Sequence, residues 1–160
     1  MAWGMAPHVV CDAPHPARWE WVDTVRQRVE TGLSDQDEVL RYAALLAASE
    51  LAENIVKYGE PCSSACAGIE VDIDEEMLRV TSVNCVGDPA DAHAVIAIVE
   101  DISKAPDPEE LYMQQMEEVM REERPGSRLG FYRMAAECGL RLSHHYADGC
   151  LTITAERAIS

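Results

Sequence analysis

The sequence predicts an α+β fold, a two-layer sandwich in which helices cover one face of a mixed β-sheet, and three observations carry that expectation. Helical segments come in clusters and strand-like runs come in adjacent pairs. A length of 160 residues suits one hydrophobic core. No internal repeat breaks the chain into equal units. The expected organisation is an N-terminal arm or edge strand at 1–16 and a single domain at 17–160.

In chain order, Pro7, Pro14 and Pro16 with few periodic apolar positions give the arm or edge strand. From about Ala17 to Glu30, Trp19, Val22, Val25 and Val29 recur at helical spacing, and Thr31-Gly32 ends the segment. Ser34 to Asp37 reads S-x-x-D, a capping box that opens a second helix running to about Tyr58, with Gly59 and Pro61 closing it. Runs 68–74 and 77–84 carry β-branched residues in partial alternation across an acidic turn and predict antiparallel strands. Asp88-Pro89 and Asp107-Pro108 each start a helix, reaching about Ile102 and Glu123. After a break at Pro125 to Gly130, a short helix spans about Phe131 to Cys138 and stops at Gly139. Two last strand-like runs meet at Asp148-Gly149, a type I′ hairpin signal.

The formal net charge is −16, from 13 Lys and Arg against 29 Asp and Glu. That balance excludes a nucleic-acid backbone or an anionic membrane as the main ligand, since both select basic surfaces. It suits a basic protein partner or a ligand neutralised by a metal ion. The first residues, MAWGMAPHVVCDAPHPA, lack the basic and apolar runs of a signal peptide, and no stretch of membrane-spanning length occurs. A cytoplasmic location is the expectation. The six cysteines are scattered, so reduced thiols are expected.

The second helix carries most of the functional information. In LRYAALLAASELAENIVKYG, leucines and alanines make nearly the whole circumference apolar, yet Glu50, Asn54 and Lys57 fall at i, i+4 and i+7, along one line. Buried or half-buried polar groups need partners. A carboxylate, an amide oxygen and an ammonium in a row suit a Mg²⁺-phosphate site: a base for a nucleophile, a magnesium ligand and a phosphate contact. The same spacing also describes a solvated helix face with an ordinary Glu53–Lys57 pair.

The string SELAENIVKYG, Ser49 to Gly59, resembles the N-box (E-x-x-x-N followed by a basic or aromatic pair) of the GHKL, or Bergerat-fold, ATPases and kinases. Within that superfamily it resembles the small serine kinases of bacterial partner-switching systems, the anti-sigma-factor kinases, and in particular the SiaB-like proteins with their long helical lid. The similarity in element order spans about Ala17 to Glu156.

The resemblance implies a Bergerat-type fold with a lid at approximately 88–124, and ATP and Mg²⁺ as cofactors. By position it implies Glu50 as the catalytic base, Asn54 as the Mg²⁺ ligand and Lys57 as a phosphate contact. The family's first glycine box, Asp-x-Gly-x-Gly, corresponds to Asn84 to Asp88: Asn84 stands near the adenine-binding aspartate, Val86 where a glycine is usual, and Gly87 at its end. An asparagine accepts the adenine hydrogen bond without the charge. The second glycine box corresponds to Gly126, Ser127, Arg128, Leu129 and Gly130, where backbone N–H groups at a helix start would cradle phosphate and Arg128 would offer a forked contact.

The function so implied is a bacterial signalling regulator of the partner-switching type, a Mg-ATP-dependent protein serine/threonine kinase that phosphorylates a small antagonist protein. The alternative is a degenerate pseudokinase of the same fold acting as a non-enzymatic interaction module; Asn84, Val86 and Arg128 favour it. Nucleic acid and membrane are not expected partners. Trp19 and Trp21 cannot both face the core, and an exposed tryptophan would anchor a partner or a homodimer. Cys62 and Cys66, with His144-His145, have atypical spacing for a zinc knuckle.

Overall fold

The computed structural model describes residues 7–60, 67–121 and 129–159. Among the described residues, five strands and five helices follow one another in the order β1 (His8–Asp12), α1 (Trp19–Gly32), α2 (Glu38–Tyr58), β2 (Gly68–Ile73), β3 (Met77–Cys85), α3 (Pro89–Lys104), α4 (Pro108–Met120), α5 (Leu129–Cys138), β4 (Arg141–Ala147) and β5 (Cys150–Ala158). The strands form one sheet ordered β1-β2-β3-β5-β4. The α+β class is as expected.

The sheet is not mixed, because all four pairings are antiparallel. The connections explain the difference. β2–β3 and β4–β5 are hairpins, and β3 pairs with β5, so the two hairpins join through antiparallel strands. Between β1 and β2 stand two helices; an even number returns the chain to the end it left, and β2 runs back along β1.

Strand alternation decides which face is covered. Ile69, Val71 and Ile73 on β2, Leu78 and Val80 on β3, and Leu151, Ile153 and Ala155 on β5 are buried. They meet Leu51 and Ala52 of α2, Val99 of α3 and Phe131 and Met134 of α5 in a single core. Their neighbours Glu70, Asp72, Arg79, Thr81 and Thr154 lie on the opposite face, which is half-buried or exposed. This is compatible with a two-layer sandwich.

Three helices, α2, α3 and α4, start at an aspartate whose side chain caps them. Asp88 accepts from Ala90 N, and Asp107 from the N–H groups of Glu109 and Glu110, each one residue before a proline that already lacks the donor. The cap of α2 is Asp37, whose carboxylate accepts from Val39 N at 3.2 Å. The helix thus begins after Asp37, and Ser34 lies in the preceding turn. The 148–149 turn has φ 53° at Asp148 and 77° at Gly149, the two positive values of a type I′ hairpin. Trp21 is buried in the α1 stripe with Val25 and Val29, while Trp19 is 53% exposed. Trp21 lies at i−4 from Val25, whereas Trp19 falls off that line. Among the described residues, no helix is long and apolar enough to cross a membrane.

Candidate functional site

The end of α2 is fastened to the end of β3. The Gly59 backbone bridges Val86, and Glu60 N donates to Cys85 O at 2.7 Å. That junction sets the last turns of α2 beside an inward-facing position of β3, and the residue there is Asn84, 5% exposed. Gly59 has to be small: a Cβ on it would stand 3.0 Å from Asn84 Oδ1.

Asn54 and Asn84 therefore meet. The Asn84 side-chain amide points its Nδ2 at the main-chain oxygen of Asn54, 3.5 Å away, and its buried Oδ1 has no hydrogen-bond partner. Asn54 Nδ2 donates to the Glu50 carbonyl at 3.2 Å, which leaves its own Oδ1 as the acceptor of that amide. Both asparagines wall a cavity of about 20 Å³ closed by Ser82, Asp91, Phe131 and Leu151. A space of about 10–15 Å³ so measured holds one water. The cavity in this conformation is water-sized, with two amides, the hydroxyl residues Ser82 and Tyr58 and a carboxylate among apolar walls.

Glu50, Lys57 and Gly87 are not among the residues that wall it. Glu50 is half-buried one turn before Asn54 and turned toward the start of α5. A Cβ on Gly130 would overlap its carboxylate, so only glycine admits this approach. Burial raises the Glu50 carboxyl above its usual range and the Glu53 carboxylate adds to this, opposed by Arg133, Lys57 and Arg26. A carboxyl held up by burial in this way has the character of a general acid or base.

Lys57 is exposed, its Nζ 6.0 Å from the Trp19 ring centroid, at the outer limit of a cation–π contact. The line predicted on α2 thus divides: Glu50 and Asn54 turn inward at half-burial, and Lys57 turns outward. Gly87 is exposed beside Glu60. Leu129 and Gly130 form the first turn of α5 rather than a loop before it. Gly126, Ser127 and Arg128 lie outside the described residues, as do Cys62 and Cys66.

Sequence reasoning missed Ser82 and Asp91. Ser82 and Asn84 sit at i and i+2, polar on the face where β3 is otherwise apolar, and that break in alternation is a readable signal. Asp91 stands in the first turn of α3, placed by the Asp88 cap. His144 and His145 point to opposite faces as strand neighbours must, His144 half-buried against Glu100 at 3.2 Å and His145 exposed. The expectation of reduced thiols throughout does not hold. Cys85 is disulfide-bonded, while Cys150, its register partner, keeps a free thiol with the two sulfurs 3.5 Å apart.

No protein-family model matches the chain, and no curated protein matches its sequence.

The donor chemistry is of the kind adenine and a hard cation require, while the space is not. A purine amino group needs a buried acceptor, which Asn84 Oδ1 offers; magnesium takes amide and carboxylate oxygens, which Asn54 and Asp91 carry at the cavity wall. The room, about 20 Å³, admits a purine only after the walls on α3 or α5 move outward.

Proposed function

We propose that this chain is a regulator of the partner-switching type on a GHKL-like fold, a Mg-ATP-dependent protein serine/threonine kinase whose substrate is a small antagonist-type protein. One observation carries the reading. The motif resemblance nominates Asn54 on a helix and, separately, Asn84 on a strand, 30 residues away, and these two wall a single cavity with a buried, unpartnered acceptor. Their meeting in one cavity supports the reading.

Asn84 Oδ1 would accept the adenine amino proton, and the Asn54 side-chain oxygen would hold the metal. Bound Mg-ATP would supply the transferable phosphoryl group. Glu50 would orient the acceptor hydroxyl and take its proton on the carboxylate, a role served by its raised pKa. The N–H groups at the start of α5, Leu129 and Gly130, would face phosphate oxygens. Lys57 would contribute only by leaving Trp19.

A second reading, an interaction module without catalysis, is favoured by the Glu50–Gly130 contact. The Glu50 carboxylate stands against the first turn of α5, the place where a helix start attracts an anion and where phosphate would have to sit. The closed cavity and the uncharged Asn84 agree with it.

Calorimetric titration with Mg-ATP, on the parent and on Asn54→Ala, separates the two. The kinase reading expects binding by the parent that weakens at least about tenfold in the variant, as for loss of a metal ligand. No heat from a folded parent overturns it and leaves the interaction module.

A further inference from the structure

We propose that His8, Glu70 and Asp72 form a divalent-metal site, suited to zinc, on the open face of the sheet at its β1–β2 edge.

Strand geometry builds it. His8 and Asp72 are register partners across β1 and β2, and Glu70 follows two residues along β2 on the same face. His8 Nε2 lies 2.8 Å from Glu70 Oε1 and 3.5 Å from Asp72 Oδ1, and one donor atom from each residue falls within 4.8 Å of the other two. A tetrahedral zinc with bonds near 2.0–2.1 Å holds its ligand atoms about 3.3 Å apart, and the two separations from His8, 2.8 and 3.5 Å, bracket that spacing.

The three side chains pair chiefly with one another, so a cation binding there would replace the contacts of His8 with Glu70 and Asp72. Arg79, the register partner of Asp72 on β3, donates twice to Glu156, at 3.0 and 2.8 Å, and its charge also bears on Asp72. Two carboxylates on adjacent same-face positions then have one imidazole between them, in a molecule of net charge −16 that concentrates cations around itself. One imidazole with two carboxylates selects zinc or manganese over copper(I), which wants sulfur, and the nitrogen disfavours calcium and magnesium. The ligands ride on paired strands, pinned at the edge by Ile73 N donating to Pro7 O. Three protein ligands leave a fourth position open to water or to a donor from a partner.

The alternative is a pair of ordinary surface contacts between a histidine and carboxylates, worth little by themselves. Zinc titration of the full chain, with the imidazole nitrogens followed by NMR, distinguishes these. The metal site expects one zinc per chain, a displaced His8 Nε2 resonance identified by its loss in His8→Ala, and affinity at least about tenfold weaker in His8→Ala and Asp72→Asn. Both substitutions lie on the solvent-facing side of an edge pair, and unchanged melting temperatures without zinc show the fold intact. An unmoved His8 resonance, equal zinc affinity in the variants, or no zinc bound by the parent overturns the proposal; zinc held by cysteine would leave His8 unmoved.

Discussion

Glu50 couples folding to the proposed chemistry. Its carboxyl is raised by burial, so the fold favours the protonated form. A group of this kind contributes stability that is fully present below its unfolded pKa and is lost as pH rises through its folded one. At neutral pH the ionised Glu50 therefore costs stability, and Glu50→Gln removes that cost. Urea unfolding should find the variant more stable than the parent at pH 7 by on the order of 1 kcal/mol, the scale for relieving a half-buried polar mismatch. The advantage should vanish below the ordinary glutamate range. A gap equal at both pH values would show that ionisation is not the cause. On the kinase reading, the same substitution should abolish phosphoryl transfer, the stability–activity opposition expected where a site stores an unfavourable charge. At this scale the sequence was informative in part. The polarity of Glu50 and Asn54 on an apolar helix was visible, but the outward turn of Lys57 was not. Residues 50, 54 and 57 drift around the helix, and which edge of that arc meets solvent depends on where α1 lies. His8, Glu70 and Asp72 escaped notice because 62 residues separate His8 from Glu70 and only strand register joins them.

Among the elements, local chemistry was the most legible part of the fold. Proline preceded by aspartate starts α3 and α4, and Asp148-Gly149 makes the hairpin, because each signal is satisfied within four residues. The start of α2 was misplaced because Ser34 and Asp37 both qualify as caps on pattern, and only the observed hydrogen bond from Val39 N selects Asp37. Asp37→Ala should cost about 1 kcal/mol of unfolding free energy, the usual worth of an N-cap, and Ser34→Ala should cost nearly nothing. The two urea midpoints check this directly; a larger loss for Ser34 would restore the capping box. The sheet's direction was the least legible feature. Antiparallel and parallel neighbours differ in how connections return, and no residue in β3 or β5 records that its partner comes from the other hairpin.

For the whole molecule, charge is the dominant property. The formal net charge is −16, while the ion pairs among the described residues, such as Arg121–Glu117 and Arg26–Asp23, are largely exposed and individually weak. Adding monovalent salt screens attraction and repulsion alike, shrinking the Debye length from about 30 Å at 0.01 M to about 8 Å at 0.15 M. Close pairs survive that change better than the diffuse repulsion among surplus carboxylates, so the folded state gains. The melting temperature should therefore rise as sodium chloride goes from 0.01 to 0.15 M at fixed pH. Association with a basic protein partner, of the kind the charge suits, should weaken over the same range, mainly through a slower on-rate, because steering acts over the distances that salt cuts off. Opposite signs for stability and association identify the acidic surface as a docking feature that strains the free protein. A melting temperature that fell with salt would instead place the exposed ion pairs among the forces that hold the fold.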